Sequence, residues 1–86
     1  MNTYKLIIST PDGSVFDDEA ISLIVRGTEG ELAIMAGHIP FITAVKPCEC
    51  KVTLADESEK SASIGGGIIT VQKNITTLLC SDFNWN

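Results

Sequence analysis

Cys48, Cys50, Val52 and Leu54 alternate with Glu49, Lys51 and Thr53, and a period of two is what a half-buried strand requires, because successive side chains point to opposite faces. Tyr4, Leu6 and Ile8 repeat the pattern. Ile21, Leu23 and Val25 form another set, with Ser22 and Arg26 expected on the opposite side. Further β-rich pieces run near Leu32 to Met35, Phe41 to Val45, Ala62 to Ile64, Ile68 to Gln72 and Ile75 to Cys80, rich in isoleucine, valine and threonine. No long window keeps an apolar stripe at helical spacing, so helix content should be low.

Turn chemistry falls between these pieces: Pro11-Asp12-Gly13, Gly27 to Gly30, Gly37 to Pro40, Pro47, the polar run Asp56 to Lys60, and Lys73-Asn74. Many short strands with turns at close spacing predict an all-β fold, a two-sheet β-sandwich or flattened barrel. The 86 residues suffice for one core, so residues 1–86 are expected to form a single domain. A hydrophobic fraction of 44% against 20% charged residues places the chain among folding sequences rather than disordered acidic tails.

A net charge of −5, with six basic residues scattered along the chain, repels phosphate backbones and excludes nucleic acid as the expected partner. No apolar run approaches the roughly 20 residues of a membrane span. Met1 to Lys5 lacks the apolar core of a signal peptide, so a soluble cytosolic protein is expected. Three cysteines is an odd number, and free thiols are the expectation. The alternation puts Cys48 and Cys50 on the apolar face of their strand, as small buried hydrophobes.

The stretch Gly27 to Pro40 holds three glycines, His38 and Pro40 around one short strand, and as turn chemistry it reads as two ordinary turns. Neither it nor Gly65-Gly66-Gly67 leads into the lysine and helix start of a phosphate loop. The triple glycine interrupts a strand pattern between Ile64 and Ile68, as a bulge or a close backbone approach would. His38 is the single histidine; catalysis would need a nucleophile and an orienting acid beside it, and a contact role is the simpler reading. Cys48, Cys50, Cys80 and His38 lack the spacing of a zinc knuckle. Carboxylates cluster at Asp17-Asp18-Glu19, Glu29 with Glu31, and Asp56-Glu57 with Glu59. With three Phe, one Tyr and one Trp there is little to stack a sugar, so these clusters read as solvated turns, and Trp85 as part of a frayed end. Glu29 and Glu31 differ in suiting a basic or polar partner surface.

Gly27-Thr28-Glu29-Gly30-Glu31 followed by Gly37-His38-Ile39-Pro40 resembles the epsilon-subunit family of the rotary ATP synthases. Pro11-Asp12-Gly13, Thr43 to Pro47 and Gly66 to Val71 extend the likeness over almost the whole chain. The resemblance implies that family's N-terminal β-sandwich, of about ten short strands. It implies a non-catalytic central-stalk subunit of an ion-translocating synthase, without cofactor or metal. Its partners would be the gamma subunit, the membrane rotor-ring subunits and the catalytic head complex, and its job to pass rotation between them. By motif position, Glu29, Gly30 and Glu31 would face the ring, and His38 with Pro40 would lie nearer the gamma subunit. The implied location is peripheral, on the cytoplasmic side of an energy-converting membrane, as in a bacterial cell membrane. After Cys80 the family's C-terminal helical hairpin has no counterpart, so its inhibitory latch and any nucleotide site there are expected to be absent.

Two other classes compete with this reading. One is a small metal or redox module built on the three cysteines and His38; the other is a sandwich holding a small ligand between its sheets.

Overall fold

The computed structural model describes residues 2–37 and 39–86. The described residues form nine strands: β1 (Tyr4–Thr10), β2 (Gly13–Gly27), β3 (Gly30–Met35), β4 (Phe41–Val45), β5 (Cys48–Leu54), β6 (Glu59–Ile64), β7 (Gly67–Gln72), β8 (Ile75–Cys80) and β9 (Phe83–Trp85). They contain no helix. Alternation explains the layout directly. In β1, Tyr4, Leu6 and Ile8 are buried while Lys5 and Ile7 between them are half-exposed, and in β5 Cys50 and Val52 are buried between exposed Glu49 and Lys51. Leu6, Ile8, Leu23, Ile34, Ile69 and Leu78 are completely buried and fill the middle of the core.

Strand pairing runs β1-β8-β7-β4-β2-β5-β6-β9, and a further β1–β2 pairing closes β1, β8, β7, β4 and β2 on themselves. The result is the expected sandwich with the continuity of a flattened barrel. β2 makes this possible because its 15 residues are long enough to serve both layers. Its first half pairs with β1, and its second half pairs with β3 and β5. β3 hangs on β2 alone among the described pairings.

Several expectations change here. Ser22 is buried and Ile21 only half-buried, the reverse of the predicted parity. The cause is a bulge: Ala20 faces Leu54 and Ser22 faces Thr53, which leaves Ile21 without an opposite number and shifts the alternation by one. Ser22 Oγ then donates to Thr53 Oγ1 at 3.0 Å, so its hydroxyl is satisfied out of water. Asp17, Asp18 and Glu19 are no turn; they lie within β2, opposite Ile7, Leu6 and Lys5. Trp85 is not frayed either, since β9 pairs with β6 with Trp85 opposite Ala62. The triple glycine carries the chain from β6 to β7 and makes the close approach expected of it: a Cβ on Gly67 would collide with the Leu79 carbonyl and the Cys80 backbone.

Candidate partner-binding surfaces

The β2–β3 hairpin carries the acidic motif. Gly27 pairs with Gly30 and leaves Thr28-Glu29 as a two-residue turn. Gly30 has φ +121°, a backbone state that a side chain would strain, and this is why the motif needs glycine between its two glutamates. Glu29 is exposed at the tip and Glu31 is exposed on β3, opposite Arg26 in the ladder. Together with Gly30, Leu32, Phe41 and Ile42 they line a shallow concavity between the hairpin and the start of β4. Glu29, Gly30 and Glu31 are thus brought to one tip. Pro40 borders a different concavity, with Tyr4, Met35, Ala36, Gly37 and Val71. His38 lies outside the described residues.

A further surface escaped the sequence reading. The outward side chains of β4, β7, β8 and β1 stand in register: Ala44 opposite Ile68, Ile68 opposite Leu79, and Ile42 opposite Thr70, which faces Thr77 and then Ile7. Ile75 pairs with Gln72 on one side and Lys5 on the other. Ile42 is 70% exposed, Leu79 54% and Ile68 50%. Among the described outward residues of these four strands the charged one is Lys5, whose Nζ lies 2.6 Å from Asp17 Oδ1 on β2; that hydrogen bond and charge hold the amine above its ordinary pKa. Four large aliphatic side chains, Ile42, Ile68, Ile75 and Leu79, open to solvent across paired strands and form a patch of the kind that marks an interaction site. A signal existed in the sequence. A sheet with one wet face should alternate, yet Ile68-Ile69 and Leu78-Leu79 are apolar at both parities, as in a strand covered on both sides.

Two of the three thiols are poorly placed for chemistry. Cys50 and Cys80 are buried, Cys48 is half-buried and all three are free. Burial, with smaller contributions from Cys48 and Cys80, pushes the Cys50 thiol up to about 11, and burial also raises Cys80. Thiols held in the protonated form are poor nucleophiles and poor metal ligands. Among the described residues no group of three His, Cys, Asp or Glu side chains is placed to hold a metal ion. Nothing here supports the metal or redox module.

A family model described as the beta-sandwich domain of the ATP synthase delta/epsilon chain matches residues 3–86. Among curated proteins, the sodium-ion-specific ATP synthase epsilon chain of Acetobacterium woodii is 37% identical over 83 residues, covering 96% of this chain and 62% of that protein. The ATP synthase epsilon chain of Delftia acidovorans is 38% identical over 79 residues, covering 92% of this chain and 57% of that protein. The chain therefore spans 57–62% of the length of these two relatives. Among solved structures, a chain of the Euglena gracilis mitochondrial ATP synthase superposes with a TM-score of 0.91 at 18% identity, covering 96% of this chain and 53% of that one. One from the central stalk and c-ring of the Tetrahymena thermophila mitochondrial ATP synthase gives 0.76 at 16% identity, covering 92% and 63%. At these identities the two likenesses establish the fold.

Proposed function

This chain belongs to the beta-sandwich domain family of ATP synthase delta and epsilon chains, and from that premise we propose that it is a non-catalytic coupling part of the central stalk. In this reading it holds the gamma subunit on one surface, meets the polar loops of the membrane rotor ring on another, and passes ion-driven rotation toward the catalytic head. It sits peripherally on the cytoplasmic side of the membrane.

The observation that carries the reading is the uncovered aliphatic face of β4, β7 and β8. A permanent contact inside a rotor buries apolar surface, because removing it from water stabilises by about 25 cal/mol per Å² without needing paired charges. We assign that face, with His38 and Pro40 nearby in the chain, to the gamma subunit. The Glu29-Gly30-Glu31 tip is assigned to the ring, where a contact that is polar and rim-like suffices. A two-layer sandwich suits the task for a mechanical reason: a close-packed interior has low compressibility and transmits strain instead of absorbing it.

The test is direct association. Mixed with purified gamma subunit at micromolar concentration, the chain should co-elute with it as one species in size-exclusion chromatography. Separate elution of the two proteins would overturn the proposal.

A further inference from the structure

Tyr4 is 3% exposed, and its hydroxyl donates to the carbonyl oxygen of Ile34 at 2.8 Å, across 30 residues of sequence. The two residues belong to strands that do not pair with each other: β1 pairs with β8 and β2, and β3 pairs with β2. The bond therefore ties β3 to a part of the sheet with which it shares no ladder. It does so one residue before β3 ends at Met35, at the entry to the segment that leads to Pro40 and Ile42. The anchor is itself fixed. Tyr4 faces Ala20 in the β1–β2 ladder, and its neighbour Lys5 donates its backbone N–H to the Asn74 carbonyl at 3.0 Å while its Nζ pairs with Asp17. Tyr4 also lines the concavity bordered by Met35, Ala36, Gly37 and Pro40, so the same side chain forms part of the floor beneath this segment. Burial raises the phenol above its ordinary range, so the hydroxyl keeps its proton and remains a donor at neutral and mildly alkaline pH.

We propose that Tyr4 is a positioning residue for docking: by holding the Ile34 carbonyl it fixes where β3 ends, and thereby where Met35, Ala36 and Pro40 stand when a partner arrives. The claim rests on the docking role proposed above. Its physical basis is the cost of ordering. A segment already held in place loses less conformational freedom on binding, and that saving appears as affinity. Without the bond, β3 keeps a single ladder and its last residues fray, as the ends of singly paired strands do.

Tyr4→Phe retains the ring and removes only the donor. In complex formation with the gamma subunit it is expected to bind about fivefold more weakly, the effect of losing roughly one ordinary hydrogen bond. Hydrogen exchange should quicken at the amides of Met35, Ala36, Gly37 and Ile39 and stay unchanged in β5 and β6. Ile64→Val, which removes one methyl group from β6, a strand that shares no ladder with β3, serves as the control for general stability; its affinity should remain within about twofold of the unsubstituted chain. Unchanged exchange at these four amides would overturn the proposal, and so would faster exchange with unaltered affinity. Equal losses in both variants, spread over all strands, would reduce Tyr4 to a contributor to overall stability and also overturn it. If the unsubstituted chain does not bind the gamma subunit, the docking reading fails by itself. The exchange comparison then decides whether Tyr4 holds the segment.

Discussion

Gly67 stands where β7 meets β8, opposite Cys80, with the Leu79 carbonyl occupying the space a Cβ would need. Alanine at a strand glycine usually gains stability through reduced freedom of the unfolded chain, but here the backbone itself is the obstacle and no side chain can swing aside. Gly67→Ala should therefore destabilise by about 1–3 kcal/mol, the range of an overpacked site, and urea unfolding would show it as a lower midpoint. An unchanged midpoint would contradict the close approach. Cys50 gives a pH signature. Its thiol titrates near 11 in the fold because burial disfavours the thiolate, whereas the unfolded chain ionises at an ordinary thiol value near 8.5. A raised folded value means that this stabilising contribution is fully present below about pH 8.5 and is lost as pH rises toward 11, an effect of order 3 kcal/mol. Stability should be flat near neutrality and decline above pH 9, and the decline between pH 8 and 10 should be shallower in Cys50→Ala. An identical slope in the two proteins would show that another group dominates. At this scale the sequence was legible where one strand decides, as at Cys50. It was not at Ile21 and Ser22, because the bulge that exchanges their places is set by the register against Thr53 and Leu54, some 30 residues away.

Strand β9 illustrates what local patterns hide. Phe83-Asn84-Trp85 is too short to show a period, and its partner β6 lies about 20 residues earlier, so nothing in the window around it announces a strand. Its hold is in contacts. The Trp85 ring meets Phe83 edge-on with centroids 4.7 Å apart and Phe16 at 6.1 Å, and Lys60 Nζ lies 4.9 Å from its centre. Asn86 continues the attachment, with its backbone N–H donating to the Ser61 carbonyl at 3.0 Å and its Nδ2 to Glu49 Oε2 at 2.9 Å. β9 thus occupies an edge of β6 that would otherwise offer unpaired backbone groups to another chain. Trp85 is 38% exposed, so its truncation should fall below the range for a wholly buried ring. We expect Trp85→Ala to destabilise by about 1–2 kcal/mol. Because it is the one tryptophan in the chain, its emission in the unsubstituted protein reports the same strand: β9 release should appear as a red shift, at a denaturant concentration no higher than global unfolding. A Trp85→Ala protein with unaltered stability would mean that the ring contacts contribute nothing. The acidic run of β2 failed for the related reason that three consecutive carboxylates look like a loop until β1 is known to lie beside them.

For the molecule as a whole, the fold class followed from periodicity, the turns from glycine, proline and asparagine, and the acidic tip from a motif; the aliphatic face required the assembled register. That face and the tip are distinct surfaces, though both reach the start of β4 at Ile42, and this makes their proposed roles separable by experiment. Ile68 and Leu79 are half-exposed neighbours across the β7–β8 ladder. Lysine at both positions places two like charges side by side in water, at a small cost to the sheet, but in an apolar contact it would bury two unpaired ammonium groups, which is prohibitive. The double variant Ile68→Lys with Leu79→Lys should therefore fold and fail to co-elute with the gamma subunit. Charge reversal of Glu29 and Glu31 to lysine at the exposed tip should do the opposite. It leaves Gly30 and its positive φ in place, so the hairpin keeps its turn, and gamma association should persist. What should fall is ion-coupled ATP synthesis by the assembled complex, since lysines now meet whatever polar or basic groups the glutamates engaged, and the deficit should shrink as rising salt screens the repulsion. Undiminished synthesis would remove the ring from the list of things this tip touches, and loss of gamma binding by the tip variant would collapse the two surfaces into one.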